Sequence, residues 1–537
     1  LRKLRKAGLV CVLVTNQSGI GRGLFSYSEY ESVHAEFLRQ IEGELDAAYM
    51  CPDPPTKPSP RRKPNTGMLE EAAIELNLDL NRSWLVGDKE ADLLCGRNAG
   101  LRTLLVRTGY GNRTEKSARF LADFVCDSIS EAAEIILQFS KKDNNIEKNL
   151  YFPPCRSWVE VDEKAIRHNA KLALELASPA GLLPVLKADA YGHGALRVAL
   201  ALRGLADIFG MACLAEAIEL QEAIERTDSG WKPDFLLLSP CLPEERQIAV
   251  ERNFVVTVSS FKETEFYSKI AEGVSSPCRV HFKIDTGMGR LGAWREEALE
   301  QLQMVRCLDW VKVEMISTHL SSADEDEAYT LEQLNWFASV EAHLRREFPN
   351  VRLHALNSAG LLRYPKYAFD LVRPGLMLYG ITPFNGNKES GGKCVSLRPA
   401  MEWRAKVLIV REHPPGRRIS YGGEFVTRRK SRIAILAVGY ADGFFRQIRS
   451  GTAQVLIKGQ RCPVIGRVTM DQILVDVTDS GDVQPGDVAV LLGRDGDDEI
   501  TANEFATWAS TIPWHVFTSL GPRVQRVSPF CTKNTLR

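Results

Sequence analysis

The sequence predicts an α/β protein of three parts: an incomplete doubly wound (Rossmann-like) α/β domain, a (β/α)8 barrel, and a C-terminal β domain. Three observations carry that expectation. From Trp158 onward, eight short apolar runs recur with mostly helical periodicity between them, as a barrel of alternating strands and helices requires. Past about residue 395 the helical period stops, and strands follow one another across Gly, Pro and Asp turns. Ahead of both, residues 1–139 alternate strand-like and helix-like runs on a smaller scale.

A chain of 537 residues is too long for one core. Lys plus Arg and Asp plus Glu both total 68, so the formal charge is zero, which argues against nucleic acid or an anionic membrane as the main partner. No run of 18 apolar residues marks a membrane span. The 12 cysteines form no Cys-x-x-Cys pair, which fits reduced thiols in a cytoplasmic enzyme. "LRKLRKAGLVCVLVTNQSG" opens at Leu1 and lacks the small-residue cleavage site of a signal peptide, so the natural N-terminus is expected to lie upstream.

In the front domain, LVCVLVTN, SWLVGD and RTLLVRTG read as strands and TGMLEEAAIELNL as a helix. The polar run SKKDNNIEKN has almost nothing to bury, and places a linker at 140–155. The barrel, 156–394, takes its strands from LLPVLKA, IFGMACL, FLLLSP, FVVTVSS, RVHFKIDTG, VEMISTHL, RLHALNS and LVRPGLMLYG. AEAIELQEAIER and EEALEQLQMVRCL read as helices between them. AKVLIVREH, RIAILAVGY, AQVLIKG and VAVLLG are strands of the β domain, 395–537.

In such barrels the chemistry sits where strands run into loops at the C-terminal face. Those ends carry Lys187, Lys283 with Asp285 and Arg290, His319, Asn357 with Ser358, and Arg373. Any one of them is an ordinary satisfied polar group; all of them together are a poor fit to a plain core. Lys187 is the sharpest. A lysine partly withdrawn from water becomes a usable amine, as bonding to a carbonyl cofactor requires, and pyridoxal phosphate is the common partner. Tyr191 follows within reach of a phosphate, and Gly192 and Gly194 let backbone approach a ligand.

"VLKADAYGHG", "KIDTGMGRLG", "STHLSSAD", "NSAG", "VRPGLMLYG", "ISYGGEF", "VGYADG" and "GRVTMDQ" stand in the order and spacing of the alanine racemases, so residues 156–530 resemble that fold-type III pyridoxal-phosphate family. The resemblance implies that Lys187 carries the cofactor and acts as one acid/base, with Tyr421 working on the opposite face of the α-carbon. Two bases are what inversion of a centre requires. A phenol with an ordinary pKa of ~10 is a poor base at neutral pH without donor neighbours. The resemblance makes His319 the partner of Tyr421 and Arg373 the next group in that chain, facing the cofactor's ring nitrogen. It gives Tyr191, Asn357, Ser358, Gly375 and Leu376 cofactor contacts, and Arg290 the substrate carboxylate. It makes Lys283 a carbamylation candidate and assigns Met470, Asp471 and Tyr440 to substrate binding and entrance. Tyr421, Tyr440 and Met470 would come from the partner of a head-to-tail homodimer. Trp514 stands where the family has a phosphate-binding tyrosine; its indole N–H donates but cannot accept. The implied activity is L-/D-alanine interconversion, which in the family supplies peptidoglycan precursors. A serine or broad-spectrum racemase remains an alternative.

"VLVTNQSGIGRG", "RRKPNTGM" and "LVGDKEADLLCGRNAG" resemble the haloacid-dehalogenase phosphatases of the heptose-bisphosphate and histidinol-phosphate group. Thr15, Asn16 and Lys63 match phosphoryl contacts, and Asp88 with Asp92 an Mg²⁺ site. The family's Asp-x-Asp nucleophile has no counterpart, and its zinc loop is reduced to Cys51. The expectation is a remnant without bound metal; a longer natural chain would be a bifunctional phosphatase–racemase.

Overall fold

The structure, a computed structural model, describes residues 1–142, 156–384 and 396–527, apart from 43, 44, 58, 77, 79, 81, 82, 228 and 229. It divides into two units, a front unit built on residues 1–142 and a larger one that takes in most of 156–527. No described helix is long and apolar enough to cross a membrane.

In the larger unit the barrel strands, in order, are Gly181–Leu182, Ile208–Met211, Asp234–Leu237, Val255–Val258, Cys278–Asp285, Val311–Ser317, Arg352–His354 and Leu371–Val372. The second to seventh pair in sequence order, all parallel. Backbone bonds close the ring. Gly210 N donates to Pro184 O (2.8 Å) and Leu186 N to Gly210 O (2.9 Å), joining the first strand to the second. Leu371 pairs with Gly181, joining first to eighth. Asp370 N to Leu353 O (3.0 Å) and Arg373 N to Leu356 O (2.9 Å) join the eighth to the seventh. Leu183, Ile208, Leu236, Val255, Met315 and Leu371 pack together from six of these strand segments as an inner layer. Burying each contributes about 1.5–3 kcal/mol. Helices enter on polar caps, for example Asp162, whose carboxylate accepts from Lys164 N and Ala165 N (2.8 and 3.0 Å).

The β domain is also closed. Met401–His413 pairs at its far end with Ser431–Leu436, and the ladder continues through Ile473–Asp476, Gln460–Ile465 and Gln454–Ile457 to Val488–Asp495, which returns to Met401–His413. The sheet runs on outside that ring, to Asp498–Ile500 on Val488–Asp495 and to Gln525–Val527 at its other end. The domain boundary expected at residue 156 shifts here. Ser157–Val161 is a strand of the β domain's sheet, antiparallel to Met401–Ala405, and not part of the barrel. Its first residue anchors it: Ser157 Oγ accepts from Trp403 Nε1 (2.8 Å). The expected boundary at 394/395 lies outside the described residues.

In the front unit, Val12–Asn16 pairs in parallel with Ala47–Cys51, and Trp84–Gly87, Arg102–Val106 and Phe124–Cys126 form a second parallel sheet. The single doubly wound sheet expected from the sequence therefore stands as two pieces, with no described strand bonding one to the other. Helix Ile129–Lys142 runs past the domain end expected at 139; the rest of the expected linker, 143–155, lies outside the described residues.

Candidate active site

Past the first barrel strand the chain stays extended through the Val185–Gly210 bridge to Leu186, and then makes a left-handed turn. Ala188, Asp189, Ala190 and Tyr191 all have φ of 52–53° and ψ of 41–51°. Left-handed helical geometry costs L-residues roughly 1–2 kcal/mol each, so this turn is held by its surroundings. Ala190 N donates to Leu186 O (2.8 Å), Ala188 N to Glu216 Oε1 (2.9 Å), and Ala195 N to Asp189 Oδ1 (2.7 Å). Buried His193 donates from Nδ1–H to the Ala190 and Tyr191 carbonyls (3.0 Å each). Lys187 opens the turn. Although its outer part meets solvent, the barrel wall desolvates its ammonium and Arg290 repels it, so its pKa lies below the ordinary value; Glu216 pulls the other way.

Arg373 follows the eighth strand and is 5% exposed. Its guanidinium donates to Thr318 O (2.8 Å), Ala355 O (3.0 Å), His354 Nδ1 and, at 3.3 Å, His319 Nδ1. Every acceptor is neutral. Burial lowers its pKa to about 10, which leaves it charged at neutral pH. Because a guanidinium can only donate, both imidazoles accept at Nδ1 and carry their proton on Nε2. Burial and the surrounding cations hold His319 far below the ordinary range, so it is a neutral donor through Nε2–H. Behind His354 stacks His281, ring centres 5.0 Å apart. Thr257 Oγ1 gives its proton to Leu237 O and accepts from His281 Nδ1 (2.8 Å), and Ser317 Oγ donates to His281 Nε2 (2.6 Å). That bonding fixes His281 as a neutral tautomer.

Buried Lys283 is pushed down to about 8 by desolvation, then by Arg373 and Arg290. Asp285 accepts Gly287 N, Met288 N and Arg290 N (2.9, 2.7 and 3.0 Å), folding the loop that brings Arg290 near both lysines. Four cations, Lys187, Lys283, Arg290 and Arg373, gather at this mouth, with Glu216 opposing them at Lys187 and Asp285 at Lys283. The mouth is built to receive anions.

One cradle for such an anion lies beside the turn. Ser358 Oγ accepts from Gly375 N (3.0 Å) and Met377 N (3.2 Å), and Asn357 caps helix Ser358–Arg363 by accepting from Gly360 N (2.9 Å). Asn357 therefore supports the cradle through its cap. A Cβ on Gly375 would stand 2.6 Å from the buried Tyr191 hydroxyl, so glycine keeps Tyr191, Gly375 and Leu376 in close approach. Burial lifts the Tyr191 phenol to about 12. Trp514 is half-buried on helix Pro513–Thr518, which reaches the turn through Phe517, edge-on to His193 at 5.1 Å.

The remaining expected residues gather on the β domain. Tyr421, Met470 and Tyr440 are 71%, 52% and 39% exposed, unusual for such large side chains. Tyr440 N donates to Thr469 O and Ala441 N to Met470 O (both 3.0 Å), while a Cβ on Gly439 would strike Met470 O at 2.3 Å, pressing those two loops together. Ser420 Oγ donates to Arg467 O (2.7 Å), bringing the Tyr421 loop alongside. Asp471 is engaged by Arg523 (2.8 Å), which also holds Asp442 (3.1 Å). Among the described residues no hydrogen bond or ring contact joins Tyr421 to Lys187 or His319.

In the front unit Lys63 Nζ pairs with Asp92 (2.6 Å) and donates to Val14 O (2.7 Å), and Asn16 brackets the Lys63 backbone (3.0 Å on both sides). Thr15 Oγ1 accepts from Gln17 (3.1 Å), and Asp88 accepts Tyr110 N (2.9 Å). Asp88 and Asp92 turn to different partners, and no group of three or more His, Cys, Asp or Glu among the described residues is arranged to hold a metal ion.

Residues 161–383 match the alanine racemase N-terminal domain and residues 400–528 the alanine racemase C-terminal domain. The alanine racemase of Methylacidiphilum infernorum is 38% identical over 383 residues, 70% of this chain and 95% of that protein. The chain belongs to the alanine racemase family. Another member, from Carboxydothermus hydrogenoformans, is 40% identical over 69% of this chain and 98% of its own. Among solved structures, the alanine racemase of Clostridium difficile 630 superposes with a TM-score of 0.63 at 31% identity, covering 70% of this chain and 96% of that one. The enzyme of Streptomyces coelicolor A3(2) gives 0.63 at 33% identity, covering 70% and 98%. Outside the racemase region, residues 60–132 match a HAD-hydrolase-like domain.

Three supporting residues escaped the sequence. His281 lies two positions before Lys283 on one strand, so period-two alternation puts both on the same face. His354 ends the seventh strand, three residues before Asn357, where one histidine in an apolar run reads as core. Glu216 sits in the first turn of helix Leu214–Thr227, where an acid is commonplace.

Proposed function

We propose that this chain is a pyridoxal-phosphate-dependent alanine racemase, interconverting L- and D-alanine as a cytoplasmic head-to-tail homodimer. The single observation that carries the proposal is the amine of Lys187, held below its ordinary pKa at a barrel mouth whose cations outnumber its carboxylates. The residues present fit the cofactor. Lys187 offers the amine, Tyr191, Ser358, Gly375 and Leu376 lie together as the groups that would hold the phosphate, and Arg373 is a buried donor with only neutral partners. Bound there, pyridoxal phosphate would supply an electron sink that acidifies the substrate's α-carbon.

The protein's own residues do the rest. Arg290 binds the substrate carboxylate. Lys187 takes or returns the α-proton on one face, and Tyr421 of the partner subunit does so on the other, which inverts the centre. The three exposed side chains Tyr421, Tyr440 and Met470 support this sharing, because a partner's barrel mouth would cover them. His319, fixed as an Nε2–H donor by Arg373, steadies the phenolate that the partner's Tyr421 becomes on losing its proton. Arg373 keeps its charge and, with the cofactor bound, would disfavour protonation of its ring nitrogen, restraining side reactions. The Lys63–Asp92 pair and the two-piece front sheet support the front unit as a remnant of a phosphatase-like domain.

Racemisation of L-alanine by the full chain, with visible absorption recorded for lysine-bound cofactor, tests this. Activity together with the absorption band, both lost in Lys187→Ala, is expected. A band without alanine turnover would shift the assignment to serine or another amino acid.

A further inference from the structure

The residue after Lys187 is fixed by one side chain from outside its own segment. Glu216 Oε1 accepts Ala188 N (2.9 Å), the first left-handed residue, while Oε2 accepts Ala212 N (3.0 Å) at the end of the second barrel strand. One carboxylate therefore bridges the two loops at the mouth. The other bonds on the turn begin farther along: Asp189 receives Ala195 N, and Arg526 donates to Gly192 O (3.1 Å). Without Glu216, the first amide of a strained left-handed turn has no anchor at the point where the amine is displayed.

Charge gives the same residue a second effect. The groups facing Lys187 are Arg290 from the loop after the fifth strand, Lys283 on that strand, His319 after the sixth, and Glu216 on the helix after the second. The first two are cationic and His319 is neutral. Glu216 is the carboxylate that opposes them at the lysine.

We propose that Glu216 is a positioning residue for the reaction: its carboxylate locks the left-handed turn that presents the Lys187 amine and sets a negative charge opposite the cations around it. The proposal deepens the assignment of Lys187 as the cofactor-bearing lysine and rests on it. Glu216→Gln keeps an acceptor for Ala188 N while removing the charge; Glu216→Ala removes both.

The test is competitive acetylation of Lys187 in the full chain freed of cofactor, followed by peptide mass spectrometry from pH 6 to 10, with hydrogen exchange of the 187–195 segment. With the carboxylate gone the ammonium is less stabilised, so the labelling midpoint moves to lower pH in both variants, and labelling at pH 7 rises. Exchange in 187–195 quickens in Glu216→Ala and stays near the parent's in Glu216→Gln, with other segments unchanged. A midpoint in Glu216→Gln that coincides with the parent's overturns the proposal, whatever Glu216→Ala does to folding. Pyridoxal phosphate added to the parent separates the two claims: a parent that fails to bind it on Lys187 sinks the cofactor assignment, while the labelling profile still reports on Glu216.

Discussion

At the residue scale, the cluster of Lys187, Lys283, Arg290 and Arg373 makes its own predictions. Lys283 has a pKa of about 8 in the folded chain against an ordinary 10.5, so between those values the unfolded chain binds more protons. Folding stability then rises with pH across that window, by on the order of 3 kcal/mol for this group. In the cofactor-free chain, Lys283→Met should flatten that rise relative to the parent, read as urea midpoints from pH 7 to 10; parallel curves would contradict it. Gly375→Ala puts a methyl against the Tyr191 hydroxyl in a packed site, and overpacking of this kind costs about 1–3 kcal/mol. Its cofactor affinity should fall roughly tenfold or more, measured by titrating the cofactor-free chain. Tyr421→Phe removes a proton carrier and should lower turnover by about 10²–10⁴ while leaving cofactor absorption in place. Lys187 and Arg373 were legible in the sequence because a charge ending an apolar run has to be explained. His281 and His354 were not, since a neutral buried histidine resembles any other core residue.

At the element scale, the strands of the barrel could be read in order because each is a short apolar run flanked by turns. The turn after Lys187 could not. Lys-Ala-Asp-Ala-Tyr contains two of the best right-handed helix formers, and its left-handed form arises from Glu216, Asp189 and Arg526 acting together. The place of Ser157–Val161 was hidden for a different reason. Its anchor Trp403 stands 246 positions away, and local pattern carries no record of such a partner. Ser157→Ala strands the fully buried Trp403 N–H without an acceptor, which costs about 1–3 kcal/mol. Thermal unfolding should fall accordingly; an unchanged transition would mean that the strand is held by its ladder alone.

At the scale of the whole molecule, the two clusters of site residues belong to different parts of the larger unit. The barrel supplies amine, cations and cradle; the β domain supplies Tyr421, Tyr440 and Met470, which its own chain leaves open to solvent. Motif order made both clusters visible in the sequence, but no periodicity says that a site is divided between two copies. Subunit mixing reads that division out. Lys187→Ala and Tyr421→Phe chains are each expected to be nearly inactive alone. In a head-to-tail dimer, each mixed pair regenerates one site that draws intact Lys187 from one copy and intact Tyr421 from the other. With random pairing, half the dimers are mixed and half their sites are whole, so co-refolded chains should recover about a quarter of the parent's racemisation rate. Recovery near that level would establish the shared site; activity no higher than the average of the two variants alone would contradict it.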